Sequence, residues 1–386
     1  MASLAVVLII LGCVAYQYLK GTLVKAFAMI IITICASVVA FGYFEVLANV
    51  FVSRSGNNSY LSLVPWAQPL SFVLLFVLAF AILQTIVTKL THHPIDLGPL
   101  PERIGRVVCG IFLGLILSGL LLTALAMAPL PNKYPYQRFN QINPNAGKPK
   151  KVLFNADGFV TGWFSMISKG SFSGKRSFAT LHPAFLDQVF LNRHKIADDI
   201  SITTSSQAIE IPKKTAAWPA PEALKDSDGN PISQKIGHSL TIVRVGIKKS
   251  AVTRQAKING GTFTLSQLRV VCKQNADAEN VRGKGKNIYP IGYLKTNVQI
   301  QKKRLNDKIE LERADFDDRV RWLDFVFEVP NNFMPVLVEF KQNSIARVPP
   351  PVPAEQAPPP ATFIPASERK KEEVEPEPPD DTDEDD

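Results

Sequence analysis

Phe72-Val73-Leu74-Leu75-Phe76-Val77-Leu78-Ala79-Phe80-Ala81-Ile82-Leu83 contains no charge and no helix breaker, and it lies within a longer apolar run over 66–88. Working outward, the first 130 residues hold three more such runs, at 2–19, 23–52 and 106–130. Each is near or above the ~18–20 residues a helix needs to cross ~30 Å of hydrocarbon. The interruptions are short and polar: Tyr18-Leu19-Lys20-Gly21, Ser53-Arg54-Ser55-Gly56-Asn57-Asn58 and Thr91-His92-His93-Pro94. The pattern predicts two helical hairpins, a four-helix transmembrane bundle over 1–130. The first run has no basic leader and no small-residue cleavage site before Tyr16-Gln17-Tyr18, so it reads as an uncleaved span rather than a signal peptide.

After Pro129 the chain changes character. Of its 34 acids, ten lie between Glu372 and Asp386, a stretch with no base. The other 24 stand against 43 Lys and Arg, so the body carries a surplus of +19. A basic body suits nucleic acid or anionic lipid. Attachment to a bilayer favours lipid, and nucleic acid is not expected as a partner. Cys13, Cys35 and Cys109 fall inside apolar runs, and Cys272 stands alone. No CxxC or Cys/His cluster supports zinc or dithiol chemistry, and no cofactor is expected.

Lys and Arg near span ends favour the cytoplasm. Lys20 and Lys25 flank the first connection, and Lys89, Arg103 and Arg106 flank the third. The second connection has only Arg54. Connections one and three therefore read as cytoplasmic, and the region after the fourth span as extracytoplasmic, in an inner-membrane protein. Lys133 and Arg138 just past that span are the contrary signal. Gly110, Gly114 and Ser118 set small residues at four-residue spacing along the fourth run, with Gly119 beside them. Such a strip lets helix backbones approach closely, either inside one bundle or in a homo-oligomer. Glu45 is the one acid well inside an apolar run, which makes it a candidate intramembrane functional group. It also lies close enough to Val52-Ser53 to be solvated at the interface.

The layout resembles the colicin V production protein (CvpA) family. Lys20-Gly21 follows the first span where that family often has Arg-Gly. Pro101-Glu102-Arg103-Ile104-Gly105-Arg106 leads into a glycine-rich last span where the family often has Leu-Asp-Arg-x-x-Gly, so Arg103 and Gly105 match and the Asp does not. The likeness covers about the first third of the chain. It implies an inner-membrane protein without established catalysis, tied to colicin V production or export. Some relatives carry a serine protease after the spans. Here Gly-Asp-Ser-Gly-Gly is absent, and His182, His194 and His238 lack the matching context. Ser173, in Gly170-Ser171-Phe172-Ser173-Gly174, lacks the strand-elbow-helix setting of a nucleophile.

Residues 131–200 read as a linker with short juxtamembrane helices. One starts near Asp157 and carries Phe159, Trp163, Phe164 and Ile167. A second spans Pro183 to Lys195, with Phe185, Val189 and Phe190 on its apolar face and Arg193, His194 and Lys195 at its C-terminal end. They suit either the membrane surface or packing against the following domain. From about 200 the period becomes two, as in Thr241–Ile247, Thr262–Leu265, Leu268–Lys273, Trp322–Val329 and Val336–Lys341. Turn signals at Asp226–Asn230 and Asn259–Gly261 separate some of them. The expectation for 201–346 is an immunoglobulin-like antiparallel sandwich closed by a hairpin of the last two strands. Asp226-x-Asp228-x-Asn230 lacks the later Glu of a calcium loop and reads as a turn. Arg282-Gly283-Lys284-Gly285-Lys286 is not a phosphate loop; it reads as an exposed hairpin loop, with anion or lipid-headgroup contact as the alternative. Residues 347–386, proline-rich and then acidic, read as a disordered tail, whose acids suit solubility, transient docking on the basic body or weak binding of divalent cations.

These readings converge on a non-enzymatic membrane protein. Its extracytoplasmic β-domain would recognise an envelope protein or cell-wall component, supporting toxin production, secretion or envelope maintenance. The alternative is a small transport or channel subunit in which the bundle itself acts.

Overall fold

The computed structural model describes residues 1–54, 63–90, 98–169, 177–249, 251, 260–274, 283–316, 318–365 and 369. The Ser55–Asn58 and Thr91–Pro94 connections, Ser173, Asn259, Arg282 and the acidic run from Glu372 lie outside them.

The four apolar runs are four helices: α1 (Ala2–Lys20), α2 (Leu23–Arg54), α3 (Ala67–Leu90) and α4 (Pro99–Met127). All four are long and apolar enough to span a membrane. They pack as α1 on α4, α2 on α3, and α2 on α4. At one end of the bundle, Glu102 accepts from the Leu23 backbone N–H (2.8 Å), satisfying an orphan donor at the start of α2. Arg106 pairs with Glu102 (2.8 Å) and donates to the Tyr18 carbonyl. Lys20, Gly21, Arg103 and Gly105 belong to this end, and Gly105 lies against Leu23.

A Cβ at Gly110 would sit 2.7 Å from the Val14 Cα, and one at Gly114 would sit 2.6 Å from the Ile10 Cα. The small-residue strip thus seats α1 of the same chain. Ser118 is buried and donates to the Leu115 carbonyl (3.0 Å), while Gly119 lies under the Ala156 carbonyl. A second copy reaches Gly110 and Gly114 only by displacing α1.

The opposite end carries everything that follows α4. Helices α5 (Ala156–Lys169), α6 (Phe178–Leu181) and α7 (Phe185–Asn192) fold back onto the bundle. Phe41 of α2 stacks on Phe164 (4.7 Å) and meets the edges of Phe72, Phe178 and Phe185. Phe159, Val160 and Trp163 of α5 border a groove of about 370 Å³ with Ile34, Phe112 and Ile116. The segment over 131–200 is therefore no loose linker: Phe139, Val152 and Leu191 are all buried in it.

Three antiparallel sheets follow. The largest runs β1 (Ile209–Glu210), β3 (His238–Lys248), β10 (Val320–Pro330), β7 (Pro290–Thr296), β8 (Gln299–Lys302), with β2 (Ala217–Pro219) also on β3. The second runs β12 (Ser344–Arg347), β11 (Phe333–Phe340), β5 (Leu268–Gln274), β6 (Lys286–Ile288). The third pairs β4 (Gly260–Thr264) with β9 (Lys308–Glu312). Val245, Phe263, Val270, Leu311, Phe325 and Val338 bring all three into one core.

Two expectations change here. β10 and β11 are not a closing hairpin: β10 pairs with β3 and β11 with β5, so the chain crosses between sheets just after Pro330. Val326 faces a second apolar cluster with Trp218 and Leu294, so both faces of β10 are covered. The proline-rich part of the tail is not disordered. Val348 and Phe363 are buried, the Val352 N–H donates to the Ala217 carbonyl (2.9 Å), and the Phe363 N–H donates to the Leu294 carbonyl (3.0 Å). Proline fixes φ in an extended form, so such a strap is ordered at low entropic cost once apolar anchors such as Phe363 hold it. Asp226, the start of the calcium-like turn, accepts from the Asp228 and Asn230 N–H groups and lies 3.8 Å from Lys302.

Candidate functional site: a buried polar seam

Glu45 sits in the last third of α2, where it meets a histidine from beyond the bundle. Its Oε1 lies 2.7 Å from Nε2 of His182, which follows α6 and is almost fully buried. His182 Nδ1 lies 3.0 Å from Gln188 Oε1 in α7. Gln188 Nε2 points to the Leu181 carbonyl, which fixes the amide with its oxygen toward the ring. Both ring nitrogens therefore face oxygen acceptors, an arrangement satisfied by the imidazolium. Burial pushes the His182 pKa down, but the Glu45 carboxylate outweighs it and the net direction is up.

Arg269 of β5 and Glu339 of β11 are register partners across the strand pair, and both are buried. Their side chains pair directly, and Arg269 also donates to the Leu181 carbonyl (2.6 Å) and to Asn287 Oδ1. Arg269 thus ties the second sheet to the residue before His182. Burial raises the Glu339 pKa against the opposing pull of Arg269 and His182. Gln68 of α3 reaches the Gln342 carbonyl (3.4 Å) in the turn between β11 and β12, a direct contact between the bundle and the sheet domain. Lys341, next to it, is buried, and desolvation lowers its pKa to about 7.

A second polar group flanks this one. Tyr136 donates to Asp157 Oδ2 (2.5 Å), and Arg138 donates to Asp187 (2.7 Å) and to the Tyr136 hydroxyl (2.8 Å). Arg193, fully buried, donates to the carbonyls of Leu125, Ala128 and Tyr134 and lies 4.4 Å from the Phe190 ring centroid. It fills the role of a cation at the C-terminus of α4, where carbonyls lack helical partners. Burial lowers its pKa to about 10, so it stays charged at neutral pH.

On the other face of the sheet domain, Arg244 and Asp324 form a bidentate pair (2.7 and 2.8 Å), again between register partners. Asp324 also accepts from the Ala361 N–H (2.8 Å) in the strap. Charged residues inside apolar strands read as solvent-facing under a period of two. The signal that finds them is opposite charge on two neighbouring strands, Arg269 with Glu339 and Arg244 with Asp324. Among the described residues, no group of three His, Cys, Asp or Glu is placed to hold a metal.

A helical bundle of membrane-spanning length, carrying a sheet domain joined to it by paired buried charge, is the class that fold and site define. No family model, no characterised protein and no solved structure matches the chain. The likeness to the CvpA family is carried by the residues quoted for it alone.

Proposed function

We propose that the chain is a non-enzymatic inner-membrane protein whose sheet domain recognises an envelope protein or cell-wall component on the extracytoplasmic face. In this reading the domain is an immunoglobulin-like sandwich. The role is that of the CvpA-like proteins, support of toxin production and secretion or of envelope maintenance. The seam carries the reading. Glu45 with His182, and Arg269 with Glu339 and the Leu181 carbonyl, couple sheets and bundle without a free linker. Occupancy of the domain would then be felt in the helices. The transport alternative relied on Glu45 as an intramembrane group, and its carboxylate is engaged by His182. Protease accessibility of a C-terminal epitope in intact spheroplasts, with lysed cells as control, tests the placement. Digestion in intact spheroplasts is the expected result; protection there with digestion after lysis refutes extracytoplasmic recognition.

A further inference from the structure

At one end of the largest sheet, where β1 and β3 stop and β10 starts, lies a cleft of about 800 Å³, a size usual for ligand sites. Gly246 is the register partner of both Glu210 and Trp322, and Lys248 is that of Val320. Register partners and alternate residues share a face. Glu210, Lys248, Val320 and Trp322 therefore stand on one side of the sheet, and Gly246 adds no side chain among them. A Cβ at Gly246 would sit 2.8 Å from the Trp322 ring, so the indole lies over the β3 backbone. The ring stays partly exposed and lines the cleft. The next pair along this face is Arg244 with Asp324, where Asp324 holds the strap, and Ala361 and Thr362 of the strap form a second wall. At the mouth, the Lys249 N–H donates to the Arg319 carbonyl (2.8 Å), and the side chains of Lys249, Asp318 and Arg319 are exposed. Glu210 and Lys248 lie 3.9 Å apart, both partly exposed. Arg321 donates to the Thr362 carbonyl (2.9 Å) and so supports the wall. Four bases and two acids among the described lining residues leave a surplus of two positive charges.

We propose that this cleft binds a short acidic glycan, with a sugar ring packed on Trp322, Glu210 and Asp318 accepting from its hydroxyls, and Lys249 and Arg319 facing its carboxylate. A pyranose has an apolar C–H face that leaves water on an aromatic ring. Its hydroxyls need acceptors as well as donors around the rim, and carboxylates and Lys248 supply both. A site for a bare anion would gain nothing from Glu210 and Asp318. A lipid tail would gain nothing from charges of either sign. The inference rests on the sheet domain being a recognition module, and it names the ligand class.

The full chain, in a detergent without a sugar headgroup, is titrated with three probes at constant ionic strength. They are the cell-wall disaccharide N-acetylglucosaminyl-N-acetylmuramic acid, its neutral counterpart chitobiose, and pentaglutamate. Calorimetry reads affinity, and tryptophan emission reads contact with the ring. The acidic disaccharide is expected to bind tightest and to shift the emission. In Trp322→Phe it should still bind, but the emission shift should vanish although three tryptophans remain. Glu210→Gln weakens an acceptor for a hydroxyl, a loss of roughly tenfold when a hydrogen bond to a charged group goes. Lys249→Gln with Arg319→Gln, both at exposed positions, should bring the acidic disaccharide down to the affinity of chitobiose. Four results overturn the site: binding of neither sugar, affinity unchanged in every variant, chitobiose binding as tightly as the acidic disaccharide, or pentaglutamate matching it, which would make the cleft a site for acidic peptide. The titration reads the cleft and the spheroplast digestion reads the topology, so either can fail without the other.

Discussion

At the scale of single residues, the seam holds charges that water cannot easily relieve. Removing one partner of a buried pair strands the other, at a cost of about 3–5 kcal/mol. Glu339→Ala, which leaves Arg269 buried and charged, is expected to destabilise the protein by that order in a denaturant titration. Replacing both residues with apolar side chains of similar volume is expected to recover most of the loss. The pH dependence has a definite sign. His182 has a folded pKa above its unfolded value of about 6.5. Its contribution is full below that value and is lost as the pH rises through the folded pKa. Glu339 and Asp187, both raised chiefly by burial, act in the same direction from lower pH. Lys341 acts oppositely, since its depressed pKa relieves a buried charge as pH rises. The difference between wild type and His182→Asn isolates the histidine. The melting-temperature gap between them is expected to narrow as pH climbs above about 6.5, and a gap that widens contradicts the imidazolium assignment.

At the scale of elements, α1 and α4 approach closely enough that Gly110 and Gly114 leave no room for a side chain. Gly114→Leu places its first carbon where the Ile10 backbone already lies. The expected cost is on the order of 1–3 kcal/mol of overpacking, with separation of α1 from α4 in a cysteine cross-linking assay. Phe363 anchors the strap against Tyr293 (5.6 Å between ring centroids) and under Arg321. Phe363→Ala should cost about 3–5 kcal/mol, seen as a lower melting temperature. Elements differ in how openly the sequence declares them. The spans are legible because an apolar run of that length has few other destinations. Five strands are legible from alternation, but short strands such as β1, β2 and β6 carry too few residues to show a period. The strap was illegible because proline-rich composition is shared by disordered tails and docked extended segments. Only the position of Phe363 among prolines and alanines marks a buried anchor. The seam was half legible: Glu45 stood out as an acid among apolar residues, whereas its partner His182 lies 137 positions away in an unremarkable loop.

At the scale of the whole molecule, the seam and the aromatic cluster around Phe41 hold α5–α7 on the bundle, Arg269 ties the sheets to α6, and Gln68 touches the sheet domain directly. Bundle and sheet domain are expected to unfold together. In limited trypsin digestion of detergent-solubilised protein, the Glu45→Gln, His182→Gln pair should release a sheet-domain fragment several-fold faster than wild type. Equal rates would place the coupling in the aromatic cluster and in the Arg269 and Gln68 contacts, outside the Glu45–His182 pair. The position of α5 has a separate consequence. It begins level with Gly119, roughly 12 Å short of the end of α4 at 1.5 Å per residue, and it turns Trp163 and Met166 outward. Set in a bilayer, the molecule therefore displaces more lipid from the leaflet on the sheet-domain side than from the other. Such a wedge is most at ease where the membrane bows outward toward that side, so local curvature would help decide where in a membrane the protein gathers.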